Sequence, residues 1–251
     1  VRPLLQLDQL VKRYGGLLAT DHVSLALAPG ELHAVIGPNG AGKTTLIGQL
    51  AGEIRPDSGR TLFDGRDITG LPTAQRALLG LARSFQITSV FPEFTVLENV
   101  ALAMQAHCGH SFRFWTPVLS QAELVEPAHS AIAQAGLAER SSARVAELAH
   151  GERRQLELAM VLVARPKLLL LDEPMAGMSR QESGLVVELL GRLKGQYTML
   201  LVEHDMDAVF ALADRVSVMV NGAIVASDKP EAIRGNELVR RAYLGDEELP
   251  A

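Results

Sequence analysis

The sequence predicts an α/β fold: a sheet that carries a phosphate-binding loop, with a β region near the start and a helical segment inserted into the α/β core. Three observations carry the prediction. A glycine-rich stretch, GPNGAGKTT (Gly37–Thr45), stands between a β-type run and a helical run. A continuous apolar run that ends in two carboxylates, LLLLDE (Leu168–Glu173), reads as a strand buried on both faces. Short apolar strands alternate with helical patterns along most of the chain. Of the 251 residues, 47% are hydrophobic, which suits one large domain or two small ones.

From about Leu4 to Leu27 the chain reads as β structure with a turn at Gly15–Gly16. ELHAVIG (Glu31–Gly37) is a buried strand, and Gly42–Ala51 opens a helix. RTLFDGRDIT (Arg60–Thr69) is a strand interrupted by an Asp-Gly turn. From about Pro92 to Glu147 strand signals vanish and Ala, Leu and Glu dominate, as in TVLENVALAMQA, which predicts a helical insert. Strands resume at Lys167–Glu173, Tyr197–Glu203 and Arg215–Val220, and an Asn221-Gly222 hairpin turn leads into AIVAS.

Bulk properties exclude several functions. A net charge of −5 with no basic tail argues against nucleic-acid binding. One cysteine permits no internal disulfide and suits a reducing compartment. No stretch approaches the ~18 consecutive apolar residues of a membrane span. The opening VRPLLQLDQLVKRYGG lacks the features of a secretory signal. Any membrane link is therefore expected to run through partners.

The loop fits G-x-x-x-x-G-K-[ST] in the strand-to-helix context that this pattern requires. Gly37, Pro38, Asn39, Gly40, Ala41 and Gly42 let the backbone wrap phosphates with inward N–H groups, and the following helix adds its positive end. Lys43 brings a point charge to the terminal phosphates, Thr44 offers a hydroxyl to Mg²⁺, and Thr45 completes the loop. Ligand sites in such sheets lie at strand carboxyl ends, where Asp172 would hold Mg²⁺. Glu173, one residue on, points elsewhere, toward an attacking water for which it is a candidate general base. HCGH (His107–His110) matches no common zinc spacing, and FRFW (Phe112–Trp115) has no basic cluster beside it, so it reads as packing or a partner contact.

LAHGE (Leu148–Glu152) opens an amphipathic helix about a hundred residues after the loop. In order, the phosphate loop, a glutamine, LAHGE, LLLLDEP and a histidine resemble the ATP-binding cassette (ABC) ATPases, over nearly the whole chain. The resemblance implies a P-loop (RecA-like) core with an antiparallel β subdomain and an inserted helical subdomain. It implies a single ABC ATPase domain over 1–251: 1–91 and 151–251 form the catalytic core, and 92–150 the helical subdomain ending in the signature. It implies a Mg²⁺-dependent ATPase working with a second ATPase subunit, in a homodimer or heterodimer. In this family each signature caps the ATP held in the other subunit's loop, so His150, Gly151 and Glu152 are expected to act in trans. Tyr14 matches the aromatic that stacks on adenine. Gln86 matches the glutamine linking Mg²⁺ and water to the membrane partner, and His204 the histidine at the γ-phosphate.

Two positions depart from the family pattern. Ala149 stands where the signature usually has serine, and Ser179 where the loop after LLLLDEP often ends in aspartate. The segments FQITSVFPEFTVLENVALAM, LAHGERRQLELAM, DEPMAGMS and VRRAYLGDEEL resemble the ATPases of bacterial branched-chain amino-acid uptake systems. That implies transmembrane permease subunits, an extracytoplasmic solute-binding protein, and a peripheral position on the cytoplasmic face of the inner membrane. Phe91 and Phe94 are candidates for the groove that receives the permease's short cytoplasmic helices. The nearest alternative is the ATPase of a lipopolysaccharide-export system; a soluble ABC ATPase acting on DNA or ribosomes ranks last.

Overall fold

The structure, a computed structural model, describes residues 2–83, 90–108, 118–237 and 239. They fall into two compact units: Val1–Leu81, Lys167–Glu173 and Leu193–Ala251 form the first, Ala82–Pro166 and Pro174–Arg192 the second.

The first unit contains an antiparallel sheet of β1 (Leu5–Tyr14), β2 (Leu17–Leu27), β4 (Ser58–Phe63) and β5 (Arg66–Asp67), in the order β2-β1-β4-β5. Inward Leu5, Leu7, Leu10, Val23, Leu25 and Leu27 are buried, as the period of two along a half-covered strand requires. The Asp-Gly turn between β4 and β5 has both residues at positive φ (50° and 74°), the geometry a two-residue hairpin prefers. β1 also bulges: its register with β2 shifts between Leu7 and Leu10, and Gln9 sits at φ 52° with its N–H donating to Ser24 Oγ.

The larger sheet runs β10-β9-β3-β8-β7-β6, from β3 (Leu32–Ile36), β6 (Leu81–Arg83), β7 (Leu168–Asp172), β8 (Thr198–Val202), β9 (Arg215–Val220) and β10 (Ala223–Asp228). The pairs β7/β8, β3/β8 and β3/β9 are parallel, and β9/β10 is an antiparallel hairpin turned by Asn221 and Gly222, both at positive φ. Every residue of β3, β7 and β8 is buried, which is why those strands read as unbroken apolar runs.

Helix α1 (Lys43–Ala51) follows β3, and its last turn is closed by a buried arginine from α2 (Thr73–Leu78). Arg76 donates to the carbonyls of Gln49 (2.8 Å), Leu50 (2.7 Å), Leu71 (2.9 Å) and Thr69 (3.0 Å). Carbonyls at a helix end have no intrahelical partner, so this guanidinium satisfies what α1 leaves open and opposes the negative end of its dipole.

The second unit is helical. In it α3 (Val96–Cys108) packs on α4 (Ala122–Gln134) and α5 (His150–Leu162), and α6 (Arg180–Leu193) follows the loop after β7. Val96, Val100, Leu124, Ala128, Ala131, Leu156, Ala159 and Leu162 form the buried stripes, at helical spacing. Thr95 and Glu98 make a reciprocal cap at the start of α3. Buried Asn99 ties down the preceding segment through the N–H and carbonyl of Phe91. The first unit ends with α7 (Met206–Leu212), capped by the Asp205 carboxylate on the Ala208 N–H, and α8 (Pro230–Arg234).

Candidate nucleotide site

Because β3, β8 and β7 are parallel, their carboxyl ends share one edge of the sheet: the loop from Gly37 follows β3, Asp172 ends β7, and Glu203 and His204 follow β8. This is the edge where open α/β sheets bind ligands.

The loop's shape depends on glycine at particular points. A Cβ on Gly37 would lie 2.1 Å from the Met219 carbonyl oxygen. Gly42 sits at φ 103°, and a Cβ there would lie 2.0 Å from the Ala19 carbonyl oxygen. Both close approaches press the loop against neighbouring backbone, and the Gly222 N–H pins its far side through the Ala41 carbonyl at 2.9 Å. Gly40, at φ 80°, has open space where a side chain would stand. Gly42 is also the N-cap of α1 and offers no side-chain acceptor to the first turn.

Lys43, the first residue of α1, is 7% exposed. Its ammonium donates to the carbonyls of Gly37 (2.7 Å) and Pro38 (3.0 Å), so the side chain folds back beneath the loop. Burial pushes the Lys43 pKa below the usual lysine range, while the charges of Glu173 and Asp172 pull it back up. Thr44 is exposed, Thr45 is half-buried, and Asp172 is buried. Glu173 adopts φ 47°, a left-handed conformation uncommon outside glycine, and its N–H donates to the Val202 carbonyl at 2.8 Å. A glycine cradle, a cation beneath it, an open helix start and a carboxylate pair whose charge acts on the cation form a donor set that fits a nucleotide's phosphates with a divalent metal.

The His204 ring is 61% exposed. The His204 backbone N–H donates to Glu203 Oε2 at 3.1 Å, and that buried carboxylate lies 3.8 Å from the ring Nδ1. Tyr14, at the end of β1, is 49% exposed with the Lys12 ammonium 5.5 Å from its ring centre. Gln86 lies outside the described residues.

The signature residues belong to the second unit. Ala149, in an extended conformation, is the N-cap of α5, which begins at His150 with Gly151 second. Alanine has no side-chain acceptor, so only half of a reciprocal cap exists: Glu152 accepts the Ala149 N–H at 2.9 Å and pairs with Arg140 at 3.2 Å. Ser179 precedes α6 and forms a full reciprocal cap with Glu182.

The sheet edge thus brings together Gly37–Thr45, Asp172, Glu173 and His204, while His150, Gly151 and Glu152 share one helix start in the other unit. Three charged residues escaped the sequence reading: Arg76, Glu203 and Glu182. Only Glu182 had a readable signal, the Ser-x-x-Glu capping pattern; a buried arginine on a short helix and a buried glutamate after a strand have none.

Comparison with known proteins identifies the family. The ABC transporter family matches residues 20–176, and the branched-chain amino acid ATP-binding cassette transporter family matches residues 223–248. The chain is 40% identical to the high-affinity branched-chain amino acid transport ATP-binding protein LivG of Escherichia coli, over 98% of this chain and 99% of that one. It is 38% identical to BraF of Pseudomonas aeruginosa, a protein of the same description, with the same coverage. A crystal structure of the ADP conformation of an ATP-binding cassette of an ABC transporter superposes with a TM-score of 0.86 at 29% identity, covering 98% of this chain and 100% of that one. The chain therefore belongs to the ABC transporter family of ATP-binding cassettes and is similar, within it, to the branched-chain amino-acid transport ATP-binding proteins.

Proposed function

We propose that this chain is the ATP-hydrolysing subunit of an importer for branched-chain or related amino acids. Its site residues act as follows. The observation that carries the reading is the buried Lys43 ammonium beneath the glycine loop, with the charges of Asp172 and Glu173 at the end of β7 acting on it.

Lys43 exchanges the Gly37 and Pro38 carbonyls for phosphate oxygens, while the N–H groups from Gly40 to Thr45 close around them. Tyr14 stacks on the adenine. Mg²⁺, held by Thr44 and Asp172 with Gln86, would neutralise charge on the phosphate oxygens. Glu173 accepts the proton of the attacking water. His204 reaches the γ-phosphate from the end of β8. His150, Gly151 and Glu152 close over nucleotide held by a second cassette, so nucleotide favours the closed pair and its hydrolysis opens it.

Among the described residues no helix is long and apolar enough to cross a membrane. Coupling to transport would then run through permease subunits at the cytoplasmic face of the membrane, with an extracytoplasmic binding protein supplying the solute. Exposed Phe91 and Phe94, stacked with ring centres 5.3 Å apart and with Phe91 anchored by Asn99, are the proposed contact for the permease's short cytoplasmic helices.

Glu173→Gln tests the chemistry. Loss of a general base costs roughly 10²–10⁴ in rate, so this variant should bind ATP with wild-type affinity and turn over at least about a hundredfold more slowly. Turnover within a few-fold of wild type would remove Glu173 from the role of base.

A further inference from the structure

Tyr14 ends β1, immediately before the Gly15–Gly16 turn. A Cβ built on Gly15 or Gly16 would meet nothing within 4 Å, so those two positions give the ring no packing support. What holds the ring lies before it. The ladder between β1 and β4 ends at the Val11–Ser58 pair. Asp57, immediately before β4, carries it further: its N–H donates to the Val11 carbonyl at 2.8 Å, its Oδ2 accepts the Arg13 N–H at 2.7 Å, and its Oδ1 accepts the Lys12 ammonium at 2.9 Å. Three consecutive residues of β1 are thus tied to one aspartate. The Lys12 side chain is only 17% exposed, and its ammonium stands over one face of Tyr14, 5.5 Å from the ring centre.

We propose that Asp57 is a positioning residue for the nucleobase: it holds the Lys12 ammonium over one face of Tyr14, which fixes the ring before nucleotide arrives and leaves the other face for adenine. The proposal rests on the reading that Tyr14 stacks on the base. An ion pair with one partner 47% exposed contributes little to stability, so the arrangement matters for what it orders rather than for the fold. A lysine stem has many rotamers, and the Asp57 carboxylate selects one that stands over the ring. An aromatic side chain loses freedom when a base stacks on it, and the loss is smaller where a cation has already set the plane of the ring. The cation also draws π density toward its own side, which eases the approach of an electron-rich purine to the other. The Lys12 hydrogen bond, and after it the Arg13 N–H, hold the Asp57 carboxyl below the usual carboxylate range, so the anchor stays charged at neutral pH.

The test compares ADP with inorganic pyrophosphate by calorimetry of the full chain in the presence of Mg²⁺. The two ligands share the phosphate loop, and only ADP carries a base. Tyr14→Ala should weaken ADP roughly five- to a hundredfold, the ordinary size of base stacking on an aromatic side chain, and leave pyrophosphate unchanged. Asp57→Asn keeps an oxygen for the Arg13 N–H and removes the charge that holds Lys12. Lys12→Met removes the cation and leaves the backbone bonds of Asp57 intact, so it decides the matter if Asp57→Asn does not fold. Each should weaken ADP about two- to fivefold with pyrophosphate unchanged. The double variant should lose no more than either single one, and neither change should matter in a Tyr14→Ala background. Lys12→Arg keeps the cation and should stay within about twofold of the parent. A merely structural brace would weaken both ligands alike. If Tyr14→Ala weakens ADP while Asp57→Asn and Lys12→Met leave ADP untouched, weaken pyrophosphate equally, or still act without Tyr14, the stacking reading stands and the positioning role is overturned. If Tyr14→Ala leaves ADP affinity unchanged, the stacking reading fails and the proposal fails with it.

Discussion

Replacing Arg76 with methionine should destabilise the first unit more than any surface change, and the reason lies in four hydrogen bonds. The guanidinium is 2% exposed and donates to four backbone carbonyls at 2.7–3.0 Å, two of them in the last turn of α1. Burial lowers the Arg76 pKa against the pull of Asp67, so the site charges a desolvation cost that the bonds must exceed. A hydrogen bond from a charged donor contributes roughly 1.5–3 kcal/mol net of the water contacts it replaces. The four bonds share one guanidinium and are not additive, so the loss expected for Arg76→Met is about 3–5 kcal/mol. For a chain of this size each kcal/mol moves Tm by about 2–4 °C, so thermal unfolding followed by circular dichroism should fall by about 10 °C. Methionine keeps the length and apolar stem, so the shift reports the donors rather than a cavity. Because α1 carries Lys43 at its other end, ATP affinity should fall as well. A Tm within about 2 °C of wild type would refute the assignment of Arg76 as the clamp on α1.

Three further outcomes follow from the same geometry. Lys43→Ala should abolish tight ATP binding in calorimetry while the melting curve stays cooperative; retained affinity would argue against the loop reading. Glu31→Gln should flatten the acid limb of the stability profile. Burial alone would raise the Glu31 pKa, but His33 at 3.0 Å, the Ala28 N–H at 2.7 Å and Arg215 together hold it below its ordinary 4.5. A depressed carboxylate stabilises the fold above its unfolded pKa and stops doing so as pH falls through its folded pKa, so the gap between wild type and Glu31→Gln should be full at neutral pH and close below about pH 4.5; a pH-independent gap would contradict this. Replacing Phe91 and Phe94 together with alanine should weaken assembly with permease subunits in a pull-down while leaving ATP affinity intact.

The chain's periodicity exposed the elements that chemistry needs and hid those that packing decides. β3, β7 and β8 were legible because a strand covered on both faces must be apolar throughout, and Asp64-Gly65 and Asn221-Gly222 because few other pairs adopt two positive φ angles in succession. The loop was legible because its glycines answer to backbone approaches of about 2 Å that no side chain survives. The bulge at Gln9 was not, because a glutamine at φ 52° is held there by Ser24, fifteen residues away. The signature illustrates the boundary between the two. LAHGE marks a helix start with no side-chain cap from Ala149, and α5 does begin beside Gly151. What the local sequence does not carry is that Glu182, in the first turn of α6, lies close to Gly151.

Affinity purification of the tagged chain from solubilised native membranes, with mass spectrometry of what accompanies it, tests the central claim most directly. The account predicts polytopic permease subunits and a second cassette in stoichiometric amounts, with a genetically linked amino-acid-binding protein. Recovery with lipid-export subunits, or only in the soluble fraction with ribosomes, DNA-repair factors or nothing, would contradict the amino-acid import assignment and leave the ATPase chemistry alone standing.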